Sequence, residues 1–221
     1  MPETSSLPRR LRRAARRTVN LLEAFAALLA YYPYKWRMRL GRQMPTRLHV
    51  GCGRNSFPGW INADTTPRAE LIVFLERRLP FANDTLDRIY SEHVLEHVPY
   101  ETGVFFLKEA FRTLRPGGCV RIAMPDLQDL VAGYCNGDWK RFDWVNWPEH
   151  AFIVTRAEMI NVAFRWWGHQ HLYDRQELSR ALLEAGFEDF RFVRNGESEL
   201  GDLRGLETRL DSTLVAEATK S

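Results

Sequence analysis

The chain has 221 residues, 45% hydrophobic and 27% charged, which suits one well-buried domain with an appendage and excludes two full-sized domains or a disordered chain. Three cysteines at unrelated spacings (Cys52, Cys119, Cys135) argue against a disulfide framework or a Cys-type zinc site, and for a reducing, cytoplasmic setting. The net charge of +3 is unevenly held: residues 1–42 carry ten Arg or Lys against Glu3 and Glu23, a net +8, leaving −5 on the rest, so the basic balance is no argument for a nucleic-acid-binding face on the domain.

Residues 1–44 read as a basic amphipathic helical arm. Arg9 to Arg17 precede an apolar stretch from Val19 to Tyr34, in which Leu21, Leu22, Phe25, Leu28, Leu29 and Tyr32 recur on one helical face. Asn20 and Glu23 interrupt the stretch, and Pro33 and Lys35 close it, short of the roughly 20 apolar residues of a membrane span. The charge-then-apolar order also suits a secretory signal, but no small-x-small cleavage site precedes the domain. Three roles stay open. The arm docks on the domain, or makes peripheral membrane contact through residues 9–36, or touches nucleic acid, with no specific nucleic-acid target expected.

One domain is expected over 45–221, made of short apolar runs separated by Gly, Pro and Asp. Leu48-His49-Val50 predicts a strand that ends in the glycine turn Gly51-Cys52-Gly53. Trp60 to Ala63 predicts a second strand ending at Asp64, Leu71 to Phe74 a third, and Arg88 to Ser91 a fourth. Tyr100 to Leu114 has helical periodicity stopped by Pro116-Gly117-Gly118, and Cys119 to Met124 predicts a central strand. After a long irregular stretch, Asp174 reads as the N-cap of a helix to Ala185, with Gly186 as its stop. Phe187–Arg194 and Ser212–Ala218 predict two closing strands. Strands alternating with helices imply an α/β doubly wound, mainly parallel sheet.

In such a sheet a ligand sits beyond the carboxyl ends of the strands near the switch point. A glycine turn there lets backbone approach the ligand, because a Cβ would block it. A carboxylate ending the next strand can take both hydroxyls of a ribose. Gly51, Gly53 and Asp64 supply those parts.

The order of later segments sharpens this. His49-Val50-Gly51-Cys52-Gly53, Asn62-Ala63-Asp64, Leu79-Pro80-Phe81, Asp87 to His97 and Leu114-Arg115-Pro116-Gly117-Gly118 together resemble the class I S-adenosylmethionine-dependent methyltransferases. The resemblance is nearest to small predicted methyltransferases with a GCG loop and an HVLEH segment. It covers residues 47–126, and Gly168-His169-Gln170-His171 with Ala185-Gly186-Phe187 extends it. It implies a Rossmann-like sheet of about seven strands with an antiparallel last strand, and S-adenosyl-L-methionine as cofactor. By the same resemblance Gly51 and Gly53 face the methionine part, Asp64 the ribose, and Ser91, Glu92 and His93 the floor beneath the sulfonium. Val50, Cys52 and Leu75 complete the expected cofactor set.

Two departures stand out. Only seven residues separate Gly53 from Ile61, with Pro58-Gly59 among them, so the usual crossover helix has no room. Where relatives often carry an acidic residue for the adenine, this chain has Phe74-Leu75; Glu76 is close by and unassigned.

A hydroxyl acceptor benefits from a base, and His93, His169 and His171 are the catalytic candidates, each equally readable as an ordinary loop histidine. His93-Val94-Leu95-Glu96-His97 also fits the inverted zinc-peptidase pattern H-x-x-E-H. That motif needs a long helix, whereas Pro99 follows closely here, so Glu96 and His97 are expected to pair and shape the loop, with no metal. Trp139, Trp144, Trp147, Trp166 and Trp167 fall within 134–173, either as an aromatic core under a long loop or as a substrate lid that stacks on a flat ligand or sugar. The expected function is methyl transfer to an oxygen or nitrogen of a small acceptor, with a glycan or glycan precursor suggested by the arm and the tryptophans. The alternatives are a catalytically silent cofactor-fold module and, remotely, a zinc hydrolase.

Overall fold

The structure is a computed structural model that describes residues 45–221. The expected arm, its helix and its membrane contact through residues 9–36 lie outside the described residues. No helix among the described residues is long and apolar enough to cross a membrane.

Seven strands form one sheet: β1 (Arg47–Val50), β2 (Ile61–Asp64), β3 (Leu71–Ile72), β4 (Leu86–Glu92), β5 (Leu114–Met124), β6 (Asp189–Val193) and β7 (Leu214–Thr219). Their order is β3-β2-β1-β4-β5-β7-β6. Strands β1 to β5 pair in parallel. The last strand, β7, slots between β5 and β6 and runs antiparallel to both. The winding reverses between β1 and β4, so their carboxyl ends open a crevice where a ligand can enter.

Among the described residues four α-helices accompany the sheet: α1 (Tyr100–Thr113), α2 (Leu127–Asn136), α3 (Arg156–Arg165) and α4 (Arg175–Ala185). Asp174 caps α4 through the Glu177 amide at 2.8 Å, and Gly186 ends it in the left-handed region, as the sequence predicts. Three expectations need correcting. The stretch after β5 is not irregular: Asp126 caps α2, and Thr155 with Glu158 forms a capping box for α3. The third strand is two residues long, not four. The segment Pro116-Gly117-Gly118 does not stop α1, which already ends at Thr113. It instead forms a bulge within β5, where pairing jumps from Leu86↔Leu114 to Arg88↔Cys119.

One sheet face is apolar. Leu48, Val50, Ile89, Val120, Ile122, Ala216 and Ala218 pack there with α1 and α4 residues such as Phe106, Leu107, Leu178 and Leu182. The other face is polar. Strand pairing sets Asn62, His49, Tyr90, Arg121, Glu217 and Arg191 in one row across six strands. Residues 54–60 form turns, as their length requires. Phe57 stacks on His49 with ring centroids 4.2 Å apart, and Trp60, Tyr90, Cys119 and Leu203 cluster alongside. Loop 194–213 covers the rest of the row, and Asp202 joins it to Arg88 at 3.3 Å.

A second core lies beyond the carboxyl end of β5. Leu130 of α2, Trp139, Phe142, Trp144 and Met159 of α3 are buried there. The tryptophan-rich segment is therefore a small packed unit in part, and its other tryptophans are free to serve a surface.

Candidate functional site

The end of β1 builds the first wall. Gly51 and Gly53 both adopt positive φ, +75° and +51°. The amides of Gly51 and Cys52 donate to the Ala63 carbonyl at 2.8 and 3.1 Å, which holds the turn against β2. A Cβ on Gly51 would sit 2.0 Å from Val94 Cγ2, so any side chain would fill the crevice. At the end of β2, Asp64 accepts from the amides of Gly53 (2.8 Å) and Thr66 (3.1 Å). Val50, Gly51, Asp64, Leu75 and Glu76 line a cleft of about 330 Å³ that His93, Val94 and His97 close on the other side. A side-chain-free turn beside an exposed carboxylate fits a cofactor with an amino-acid end and a ribose. Glu76, unassigned from the sequence, is part of this wall.

Other expected cofactor residues are placed differently. Cys52 is buried, and burial pushes its thiol up from its ordinary value. Ser91 is buried and its hydroxyl has no partner among the described residues. The Glu92 carboxylate turns away to loop 194–213, accepting from Thr208 N and Oγ1, Arg209 N and Ser212 Oγ at 2.7–3.1 Å. Burial alone would raise that carboxyl, but the bonds from Ser212, Thr208 and Arg209 outweigh it and hold it below the usual range. None of these three side chains lines the 330 Å³ cleft.

Strand β4 hands over to His93, a non-glycine residue at φ +51°, which swings its ring into the junction. Its Nδ1 lies 3.1 Å from Glu96 Oε1, and its Nε2 lies 3.6 Å from Asp211 Oδ1. Leu95–His97 is a single 3-10 turn. The long helix that the H-x-x-E-H hydrolase pattern requires is therefore absent, and the expected Glu96–His97 pairing is replaced by the Glu96–His93 contact.

A second cleft of about 270 Å³ opens on the far side of His93 and His97. Trp144, Trp147 and Trp167 supply its flat surfaces, His169 part of its wall, and Arg209 and Asp211 its charges. His169 Nδ1 lies 2.6 Å from the Ala163 carbonyl, and burial lowers its pKa. Of the three histidines expected to act as bases, His93 and His169 come together here. His171 does not: its Nε2 meets Glu177 at 3.1 Å, and it lines neither cleft. The loop before β7, which supplies Arg209 and Asp211, carries no motif, so no sequence signal could have placed either residue at the site.

Reversal of strand order beside a glycine turn and a carboxylate, with an antiparallel seventh strand, defines the class I methyltransferase fold. Residues 60–122 match the family model described as a methyltransferase domain. A SAM-dependent methyltransferase from Archaeoglobus fulgidus matches in structure with a TM-score of 0.52 at 15% identity, over 88% of this chain and 94% of that one. A Thermotoga maritima SAM-dependent methyltransferase, described as a possible histamine N-methyltransferase, gives 0.49 at 18% identity over 93% and 97%. No curated protein matches. The chain thus has the class I methyltransferase fold, and its residues 60–122 carry the segment that the methyltransferase-domain model describes.

Proposed function

We propose that S-adenosyl-L-methionine occupies the Gly51–Asp64 cleft and that its methyl group passes to an oxygen or nitrogen of a small acceptor in the aromatic cleft. The observation that carries this reading is the shared wall: His93 and His97 line both clefts, so donor and acceptor would meet beside them. The bound cofactor supplies an already activated sulfonium methyl, which leaves the protein to align the partners and exclude water. Asp64 takes the ribose hydroxyls, and the bare backbone at Gly51 and Gly53 accommodates the methionine end. Leu75 and Glu76 flank the adenine. Val50 contributes apolar surface, while Cys52, Ser91 and Glu92 support the walls from behind.

His93 receives the acceptor's proton in this scheme. Glu96 against Nδ1 fixes the ring, and the buried Nε2, with no hydrogen-bond partner among the described residues, lies 3.6 Å from Asp211 Oδ1 in the wall of the aromatic cleft. Three tryptophan faces with Arg209 and Asp211 suit the apolar face and hydroxyls of a sugar, so a glycan or glycan precursor is the acceptor class we favour. A cytoplasmic enzyme with residues 9–36 resting on a membrane face is consistent with such a substrate. Calorimetric titration of S-adenosyl-L-methionine tests the reading. Binding that Asp64→Ala weakens is expected. No binding to either protein would sink the enzyme and leave a silent interaction module.

A further inference from the structure

Glu96, His97 and His169 each offer one ligand atom, and these atoms lie within 4.8 Å of one another. The chain holds them there by backbone bonds. The amides of Gln170 (2.8 Å) and His171 (3.2 Å) donate to the Glu96 carbonyl, and Gln170 Nε2 donates to the His97 carbonyl at 2.6 Å. Segment 169–171 is thereby laced to the 3-10 turn that carries the other two residues.

The side chains are prepared in two further ways. His169 Nδ1, against the Ala163 carbonyl, carries the proton, which leaves the Nε2 lone pair for another partner. A backbone carbonyl on the outer nitrogen is the usual support of a metal-bound histidine. The Glu96 side chain is fully buried; its Oε1 lies 3.1 Å from His93 Nδ1, and its Oε2 has no hydrogen-bond partner among the described residues. A carboxylate so placed is costly to bury unless something positive meets it.

We propose that Glu96, His97 and His169 form a site for a divalent transition-metal ion. Two imidazoles and one carboxylate suit zinc or cobalt better than calcium or magnesium, which prefer all-oxygen sets. Bonds of roughly 2.1 Å would set tetrahedral ligand atoms about 3.4 Å apart. The three side chains therefore close by about an ångström on binding, a matter of side-chain rotation. This ligand set is distinct from the H-x-x-E-H hydrolase pattern: Glu96 is a ligand and His93 is not.

His97 and His169 line the aromatic cleft, so the remaining coordination positions face the acceptor. Resting on the methyl-transfer reading, the ion would hold the acceptor by a hydroxyl oxygen and lower that hydroxyl's pKa. The proton passes to His93 Nε2, the C–O bond forms as the C–S bond breaks, and S-adenosylhomocysteine leaves. Oxygen, rather than nitrogen, is then the atom methylated.

The full chain, stripped with chelator and titrated with Co²⁺, tests the site. One equivalent should bind with visible ligand-field bands and raise the melting temperature, and Zn²⁺ should displace it. His169→Asn and Glu96→Gln should each weaken Co²⁺ by at least the roughly 10- to 100-fold that loss of even an outer partner costs. Absence of bands in the unaltered protein, or equal affinity in His169→Asn, overturns the proposal whether or not Glu96→Gln folds. S-adenosyl-L-methionine is titrated separately. Cobalt binding without cofactor binding would uphold the metal site and sink methyl transfer, and the reverse pattern would sink the metal site alone.

Discussion

Arg121 of β5 meets Glu207 of loop 194–213 at 2.6 Å, with neither side chain reaching solvent. The same guanidinium donates to Glu217 of β7 at 2.6 Å and to the Glu197 carbonyl at 2.9 Å. A sheet face left bare by the missing crossover helix is thus closed by a loop hooked onto a buried cation. Glu92 holds the residues that directly follow Glu207, where Arg209 and Asp211 reach the aromatic cleft.

Arg121→Leu is expected to leave Glu207 buried without its cation and Glu217 with Arg191 alone, at a cost of about 3–5 kcal/mol. Urea unfolding followed by circular dichroism measures it. A loss under 1 kcal/mol on the same scale would mean that loop 194–213 is held by other contacts.

Gly51→Ala should damage the cofactor cleft more than the fold. Its Cβ would overlap Val94 at a backbone φ of +75°, so strain and displacement together cost about 1–3 kcal/mol. Cofactor affinity by calorimetry should fall at least tenfold, whereas Gly53→Ala, which meets no neighbouring atom, should keep more of it.

Asp64→Ala removes a charged acceptor from the cleft rim. Hydrogen bonds to a charged group contribute about 1.5–3 kcal/mol, so affinity for S-adenosyl-L-methionine should drop roughly 10- to 100-fold. The melting curve should remain cooperative. Unchanged affinity would move the ribose elsewhere.

Acid stability should depend on Glu109. Burial raises its carboxyl, but the bonds from Arg112 and the Leu79 amide outweigh this and leave it below the ordinary carboxylate value. A depressed folded pKa stabilises fully above the unfolded value of about 4.3, and that contribution disappears as pH falls through the lower folded value. Melting temperatures taken from neutral pH downward should therefore fall more in the parent chain than in Glu109→Gln.

Trp167→Ala should raise KM for the acceptor while leaving cofactor affinity intact, because Trp167 lines the aromatic cleft and not the glycine one. Steady-state kinetics with the acceptor varied, paired with cofactor calorimetry, separates the two. An effect confined to cofactor binding would contradict the division into two clefts.

Local chemistry alone determined much of this protein. Glycines at Gly51 and Gly53 mark backbone that must turn through positive φ, Asp64 ends a strand, and Asp174 with Gly186 bounds a helix, all readable over a few residues. The short Gly53–Ile61 link likewise excluded a helix by length. Other features depended on residues far apart in the chain. Polar Asn62, His49, Tyr90, Arg121 and Glu217 look like breaks in strand patterning until strand register sets them in one buried row under loop 194–213. Glu92 reads as a cofactor residue until the fold brings Thr208 and Ser212 onto it. His169 gains its place beside Glu96 and His97 only because the 169–171 backbone bonds to the turn. Short-range backbone preference made the cradle legible, while long-range pairing decided which carboxylates and histidines face a ligand.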